Sequence, residues 1–243
     1  MTRLHVARWG NAGPLLCLVH GSIFAGEATW GAQRPLADRF RVLLPDRRGF
    51  GESAPAERED FLVDTGDLLA VLEEPAHLVG HSYGGIVIML AAAQRRDLVK
   101  SLTVIEAPIY HIAAHVPEVA AALDRSKERD AAERDPQALL LRSIGPPRQG
   151  GYSPELLRGA KLMINQRRPW EATIPFEALA GIPALIVSGG HSPIHEATCG
   201  VLASRLGAER AVICGRGHAV QRTGEEFNRT LEEFVLRAEG ASA

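Results

Sequence analysis

Cysteine is scarce: three residues in 243, an odd number that cannot all pair within the chain. Cys17 and Cys214 lie in apolar, strand-like runs and Cys199 in a helical one, so all three are expected as free, buried small hydrophobes. No CxxC pair or spaced Cys/His cluster is present, which argues against structural zinc. No apolar run approaches the roughly 20 residues needed to span a bilayer. The longest, Leu15–Val19 and Ile86–Ala93, suit a buried strand and a buried helix face. Residues Met1 to Trp9 lack the apolar core of a secretory signal, so a cytoplasmic chain is expected unless a leader has been removed. Excess charge is also missing. The 27 Lys+Arg against 29 Asp+Glu exclude a strongly basic nucleic-acid binder as the default. A hydrophobic fraction of 46% excludes a disordered chain.

What is present is alternation. Leu15–Val19, Arg41–Pro45, His77–Gly80, Ser101–Ile105, Ala184–Ser188 and Ala211–Cys214 read as strands. Most are continuous apolar runs, as strands covered on both faces require. Helical patterns fall at Gly31–Asp38, Asp60–Glu74, Gly84–Arg95, His195–Leu206 and Glu225–Ala238. Thr223 and Glu226 have the spacing of a capping box for the last. The pattern predicts an α/β fold, a mostly parallel sheet with helices on both faces. Residues 107–176 interrupt it with helical stretches (Pro117–Arg134, Pro136–Ile144, Pro154–Gln166) and no strand. They are read as a helical insertion in a core made of 1–106 and 177–243. Its slight excess of Arg and Lys fits a solvated surface.

Three loops carry chemistry. Gly80-His81-Ser82-Tyr83-Gly84 is G-x-S-x-G, preceded by a strand and followed by a helix. A sharp turn there exposes the Ser82 hydroxyl at the carboxyl end of the sheet. His20-Gly21-Ser22 ends another strand, where backbone N–H groups of Ser22 and Tyr83 can bind an oxyanion. Gly217-His218 follows the last strand and supplies the base that a weak serine nucleophile needs. His20 and His81 are expected to brace loops. His111, His115 and His195 are expected to be solvated.

These motifs, together with Asp46-Arg47-Arg48-Gly49-Phe50-Gly51-Glu52-Ser53, resemble the α/β-hydrolase superfamily over nearly the whole chain. The resemblance implies an eight-stranded, mainly parallel sheet and a helical cap at 107–176. It makes the Asp46–Ser53 turn structural, with Asp46 and Arg48 tying loops together. The order nucleophile, acid, histidine is that family's.

The chain departs from the family after Ala184–Ser188. The usual Asp is replaced in Gly189-Gly190-His191-Ser192, with His191 in its place. The favoured substitute is Glu106 at the end of Ser101–Ile105, a strand expected beside that of Ser82. Lactonases of the zearalenone-hydrolysing type are similar in placing a Glu there. Glu196, or no acid at all, stays open, and His191 is read as a solvated loop residue in preference to a pocket-lining one. Ile23, Phe24 and Tyr83 are expected beside the nucleophile, and Trp170 over the substrate or packed in the core. The resulting expectation is a serine hydrolase that needs no cofactor or metal. It would act on an ester, lactone or thioester of a small to medium, partly apolar molecule. No nucleic-acid or membrane partner is expected, and the chain is read as a monomer or homodimer. The alternatives are carbon–carbon cleavage or elimination on the same site, or a receptor-like binding protein with slow turnover.

Overall fold

The computed structural model describes residues 4–147 and 149–240. Residues 1–3 of the N-terminal run, Arg148 of the insertion and residues 241–243 fall outside them. Among the described residues seven strands form one sheet: β1 (Val6–Trp9), β2 (Leu15–Val19), β3 (Arg41–Pro45), β4 (Ala76–His81), β5 (Val99–Ile105), β6 (Ala184–Ser188) and β7 (Glu209–Val212). Their order is β1-β3-β2-β4-β5-β6-β7, and only the β1–β3 pairing is antiparallel. The expected eighth strand is absent among the described residues. The chain leaves β1, turns at Gly10 and Gly13 with positive φ, and enters the central β2 directly.

Among the described residues nine α-helices surround the sheet: α1 (Gly26–Trp30), α2 (Phe61–Val71), α3 (Tyr83–Gln94), α4 (Pro117–Ala132), α5 (Pro136–Ile144), α6 (Pro154–Ile164), α7 (Phe176–Leu179), α8 (Pro193–Leu206) and α9 (Glu225–Gly240). Alternation along β2 splits the core in two. Leu15, Cys17 and Val19 pack with α2 and α3 on one face, and Leu16 and Leu18 pack with Phe227, Leu231 and Phe234 of α9 on the other. With both faces covered, all five β2 residues are buried. Between β5 and β6 the described chain forms α4 to α7 and short 3-10 turns, with no strand. No helix among the described residues is long and apolar enough to cross a membrane.

Several local expectations are corrected. Residues Gly31–Asp38 form a 3-10 helix with Pro35 inside it, not an α-helix; proline lacks the N–H that an α-helical interior needs. Thr223 donates its hydroxyl to the Val220 carbonyl at 2.9 Å and closes the preceding turn instead of capping α9. The last strand ends at Val212 and lies at the sheet edge, so Cys214 is exposed, whereas Cys17 and Cys199 are buried. Burial pushes both of those thiols up to about 12, leaving them inert.

The strand order changes direction between β2 and β4. β3 lies on one side of β2, and β4, β5 and β6 follow on the other. In such sheets a crevice opens at the carboxyl ends of the strands at that point. The turn after β3 braces it. Arg47 is 3% exposed and donates to Glu59 at 2.6 Å, Asp64 at 2.7 Å, the Gly21 carbonyl at 2.8 Å and the His20 carbonyl at 3.1 Å. Its guanidinium lies about 5 Å from the Phe50 and Tyr83 rings. Asp46 accepts from the Gly26 N–H and from His5, and Arg48 forms a two-pronged pair with Asp67. The expected loop ties are thus present, but the buried hub is Arg47. Replacing Arg47 by Ala strands two buried carboxylates. Stability in urea unfolding is expected to fall by about 3–5 kcal/mol; a loss below about 1 kcal/mol would show that the network does not hold the loops.

Candidate active site

Parallel register builds the site. His81 is paired with Ile105, and Ile105 with Val187. The residues that follow, Ser82, Glu106 and Ser188-Gly189, therefore leave three adjacent strands at the same edge. Ser82 donates its N–H to the Ile105 carbonyl at 2.8 Å, and Glu106 donates its own to Val187 at 3.2 Å.

Ser82 has φ 52° and ψ −122°, a conformation that L-residues avoid, immediately before α3. The two motif glycines make that turn passable. A Cβ at Gly84 would lie 2.4 Å from the Val19 carbonyl oxygen, and one at Gly80 would lie 2.6 Å from that of Gly84. The non-glycine residues with positive φ among the described residues are Ile23, Ser82 and Glu106. All three belong to this site, where such strain commonly collects.

Glu106 is fully buried. Its Oε2 lies 2.6 Å from His218 Nδ1, and its Oε1 accepts the Gly189 N–H at 2.7 Å. Burial alone would raise its pKa. The His218 hydrogen bond, the nearby His195 and the Gly189 N–H outweigh this and hold it below the usual carboxylate range. The loop without the usual Asp therefore still contacts Glu106, through a backbone donor. Glu196 accepts the Gly190 N–H at 3.0 Å and pairs with Arg210 at 2.7 Å.

One histidine departs from expectation. His195 is not solvated: its side chain is 12% exposed, with Nδ1 3.7 Å from Glu106 Oε2 and Nε2 3.3 Å from the Tyr110 hydroxyl. Burial, then the neighbouring His218, pushes its pKa down to about 4. His191 is exposed, as expected of a loop residue, although its Nδ1 lies 3.4 Å from Glu106 Oε1. Their spacing of four residues, at the place where the family's acid falls, was the available signal. His111 is half-buried and His115 exposed. His81 and His20 brace loops as expected. His81 Nε2 lies 2.9 Å from the His218 carbonyl, and His20 Nε2 accepts the Arg47 N–H at 2.9 Å.

A cavity of about 980 Å³ opens over these groups. Ser22, Ile23, Phe24, Ser82, Tyr83 and His218 line it, and Trp170 lines it from a 3-10 turn after α6. The Ser22 hydroxyl donates to Glu59 at 2.9 Å, which fixes the loop after β2 to the Arg47 hub. The Tyr83 ring is buried, and its hydroxyl accepts from the Phe61 N–H and donates to the Arg167 carbonyl. No carboxylate is among the described lining residues, whereas Arg216 and Arg222 are.

Residues 18–230 match the model of the alpha/beta hydrolase family, and the chain belongs to that family. It is 30% identical to esterase YbfF of Escherichia coli over 229 residues, 86% of this chain and 87% of that one. It is 30% identical over 186 residues to the pimeloyl-[acyl-carrier protein] methyl ester esterase of Aeromonas hydrophila, covering 74% and 68% of the two chains. Among solved structures, Est816, described as an N-acyl homoserine lactone degrading enzyme, superposes with a TM-score of 0.67 at 22% identity, covering 96% and 97%. A thermophilic esterase from Thermogutta terrifontis gives 0.66 at 22%, covering 97% and 93%.

The neutral brace predicts a pH dependence. His20 is fully buried, and burial, followed by the Arg47 charge, holds its pKa well below the ordinary value. It stays neutral in the fold but takes up a proton below about pH 6.5 once unfolded, so stability is lost as pH falls through that value. Urea unfolding is expected to show about 2 kcal/mol lost between pH 7.5 and 5.0 on account of His20. His20→Gln should remove that part of the slope. An unchanged slope in the variant would contradict the neutral assignment.

Proposed function

We propose that this α/β hydrolase is a serine esterase acting on small to medium, partly apolar esters, lactones or thioesters through an acyl-enzyme. One observation carries the reading: Glu106 accepts a 2.6 Å hydrogen bond from His218, in the same cavity to which the Ser82 turn delivers its hydroxyl. The Glu106 carboxylate fixes the His218 proton on Nδ1, which leaves Nε2 as the base. Ser82 Oγ attacks the carbonyl carbon as its proton passes to His218 Nε2. The oxyanion is held by the N–H groups of Ser22 and Tyr83, each worth about 3–4 kcal/mol in the transition state. His218 then protonates the departing alcohol or thiol. Water, deprotonated by His218, adds to the acyl-enzyme and releases the acid and Ser82. Glu106 remains ionised throughout and stabilises the imidazolium.

Esterases among the relatives at 30% identity support the bond class. Ile23, Phe24 and Trp170 supply apolar contact beside the nucleophile. The segment 107–176 acts as a cap, contributing Trp170, Tyr152 and Leu156 to the lining.

Ser82→Ala is expected to abolish ester turnover while leaving the thermal melt unchanged. Glu106→Gln should lower kcat by about 10³- to 10⁴-fold, as loss of the orienting carboxylate does elsewhere. Glu196→Gln and His191→Ala should each cost less than about 10-fold. Steady-state kinetics on p-nitrophenyl esters decides, and a larger loss at Glu196 or His191 would move the acid role away from Glu106. Arg216 and Arg222, with no carboxylate among the described lining residues, favour substrates whose far end is neutral or anionic. Replacing either by Gln should raise KM for a carboxylate-bearing ester about 2- to 5-fold, the worth of an exposed charge pair, and leave a neutral ester unaffected. Equal effects on both esters would count against charge recognition.

A further inference from the structure

Glu106, His195 and His218 each offer a ligand atom, and the three atoms lie within 4.8 Å of one another. Two of the separations centre on one oxygen. Glu106 Oε2 is 2.6 Å from His218 Nδ1 and 3.7 Å from His195 Nδ1. The catalytic reading uses the first contact and leaves the second unexplained. His195 Nδ1 is buried and has no hydrogen-bond partner. A buried polar atom without a partner is costly and calls for a reason. We propose that Glu106, His195 and His218 form a binding site for Zn²⁺ or a similar imidazole-seeking divalent cation, overlapping the triad, so that metal occupancy and acyl transfer exclude each other.

The donor set suits such an ion. Two neutral imidazoles and one carboxylate match zinc preferences, with bonds of about 2.0–2.2 Å. Tetrahedral ligands then stand roughly 3.3–3.5 Å apart. The 2.6 Å contact must open by under 1 Å and the 3.7 Å contact close slightly. His218 can yield, because it sits in a loop with positive φ at Gly215 and Gly217 and its side chain is 40% exposed. Glu106 is held by the Gly189 N–H on Oε1, so Oε2 is the oxygen left for the ion. His195 has a partner for its other nitrogen. With the ion on Nδ1 the ring proton sits on Nε2 and points to the Tyr110 hydroxyl at 3.3 Å, as histidine ligands commonly arrange. Both imidazoles line the cavity, which gives the ion a path from solvent. Arg216 and Arg222 in the lining are exposed and their charges are screened. His191, with Nδ1 3.4 Å from Oε1, offers a further donor beside the site.

The exclusion follows from proton placement and rests on the catalytic reading above. A neutral His218 carries one ring proton. When the ion occupies Nδ1, that proton resides on Nε2. Nε2 is then a donor and cannot accept the Ser82 proton. Nothing is oxidised or reduced; the Nδ1 proton passes to solvent as Nε2 takes one up, so no net proton is released.

Binding is tested without reference to turnover, by competition for Zn²⁺ against a chromophoric chelator at pH 7.5. The wild-type chain and Ser82→Ala are expected to bind one equivalent equally well. His195→Ala should weaken binding at least 10-fold, as should His195→Asn, which keeps a polar group if the alanine variant does not fold. His115→Ala, at an exposed histidine outside the donor set, should leave it unchanged. Absence of a one-equivalent site in the wild type, or unchanged affinity in both folded His195 variants, would overturn the proposal. Binding by a chain that hydrolyses no ester would sustain the metal site and sink the esterase reading. Hydrolysis that Zn²⁺ does not slow, at saturation of the site, would overturn the exclusion.

Discussion

The hydrogen bond between Glu106 and His218 joins residues 112 positions apart and ties two distant parts of the chain together. One end directly follows β5, and the other is a glycine-flanked loop after β7. For that bond to form, Glu106 must be buried as a carboxylate, which burial opposes. The Gly189 N–H and the surrounding imidazoles offset that cost. Glu106 must also accept a positive φ, at the same sheet edge where Ser82 and Ile23 accept theirs. A second scaffold, the Arg47 hub, binds the loop after β2 to α2 and so fixes the opposite wall of the crevice. The strand order between β2 and β4 opens that crevice, and the two scaffolds give it fixed sides.

Much of this was legible in the residues, for physical reasons. Continuous apolar runs marked β2, β3 and β6 to the residue, because strands buried on both faces admit little else. Gly80 and Gly84 marked the Ser82 turn because their missing side chains are where carbonyl groups pass. Glu106 could be singled out because parallel neighbours end at one edge. The half-exposed β7 was placed late, since an edge strand lacks a continuous apolar signal, and Cys214 was carried into it wrongly. The short β1 is not legible because only Trp9 of its four residues is buried, which is too little pattern to read.

The histidines show where sequence reading ends. His191 and His195 looked like polar surface residues, and only the fold reveals that both face Glu106. Arg47 was overlooked beside Asp46 and Arg48 for a similar reason. A charged residue is buried when partners distant in sequence surround it, here Glu59, Asp64 and two backbone carbonyls. Local composition does not encode that set.

The central claim is that Ser82 is an activated nucleophile because Glu106 orients His218. The most direct measurement is intact mass, followed by peptide mapping, after treatment with a small fluorophosphonate, on wild-type protein and on Glu106→Gln. The account predicts one adduct on Ser82 in the wild type and much slower labelling of the variant. Folded wild-type protein that takes no adduct, or takes it at another residue, would contradict it.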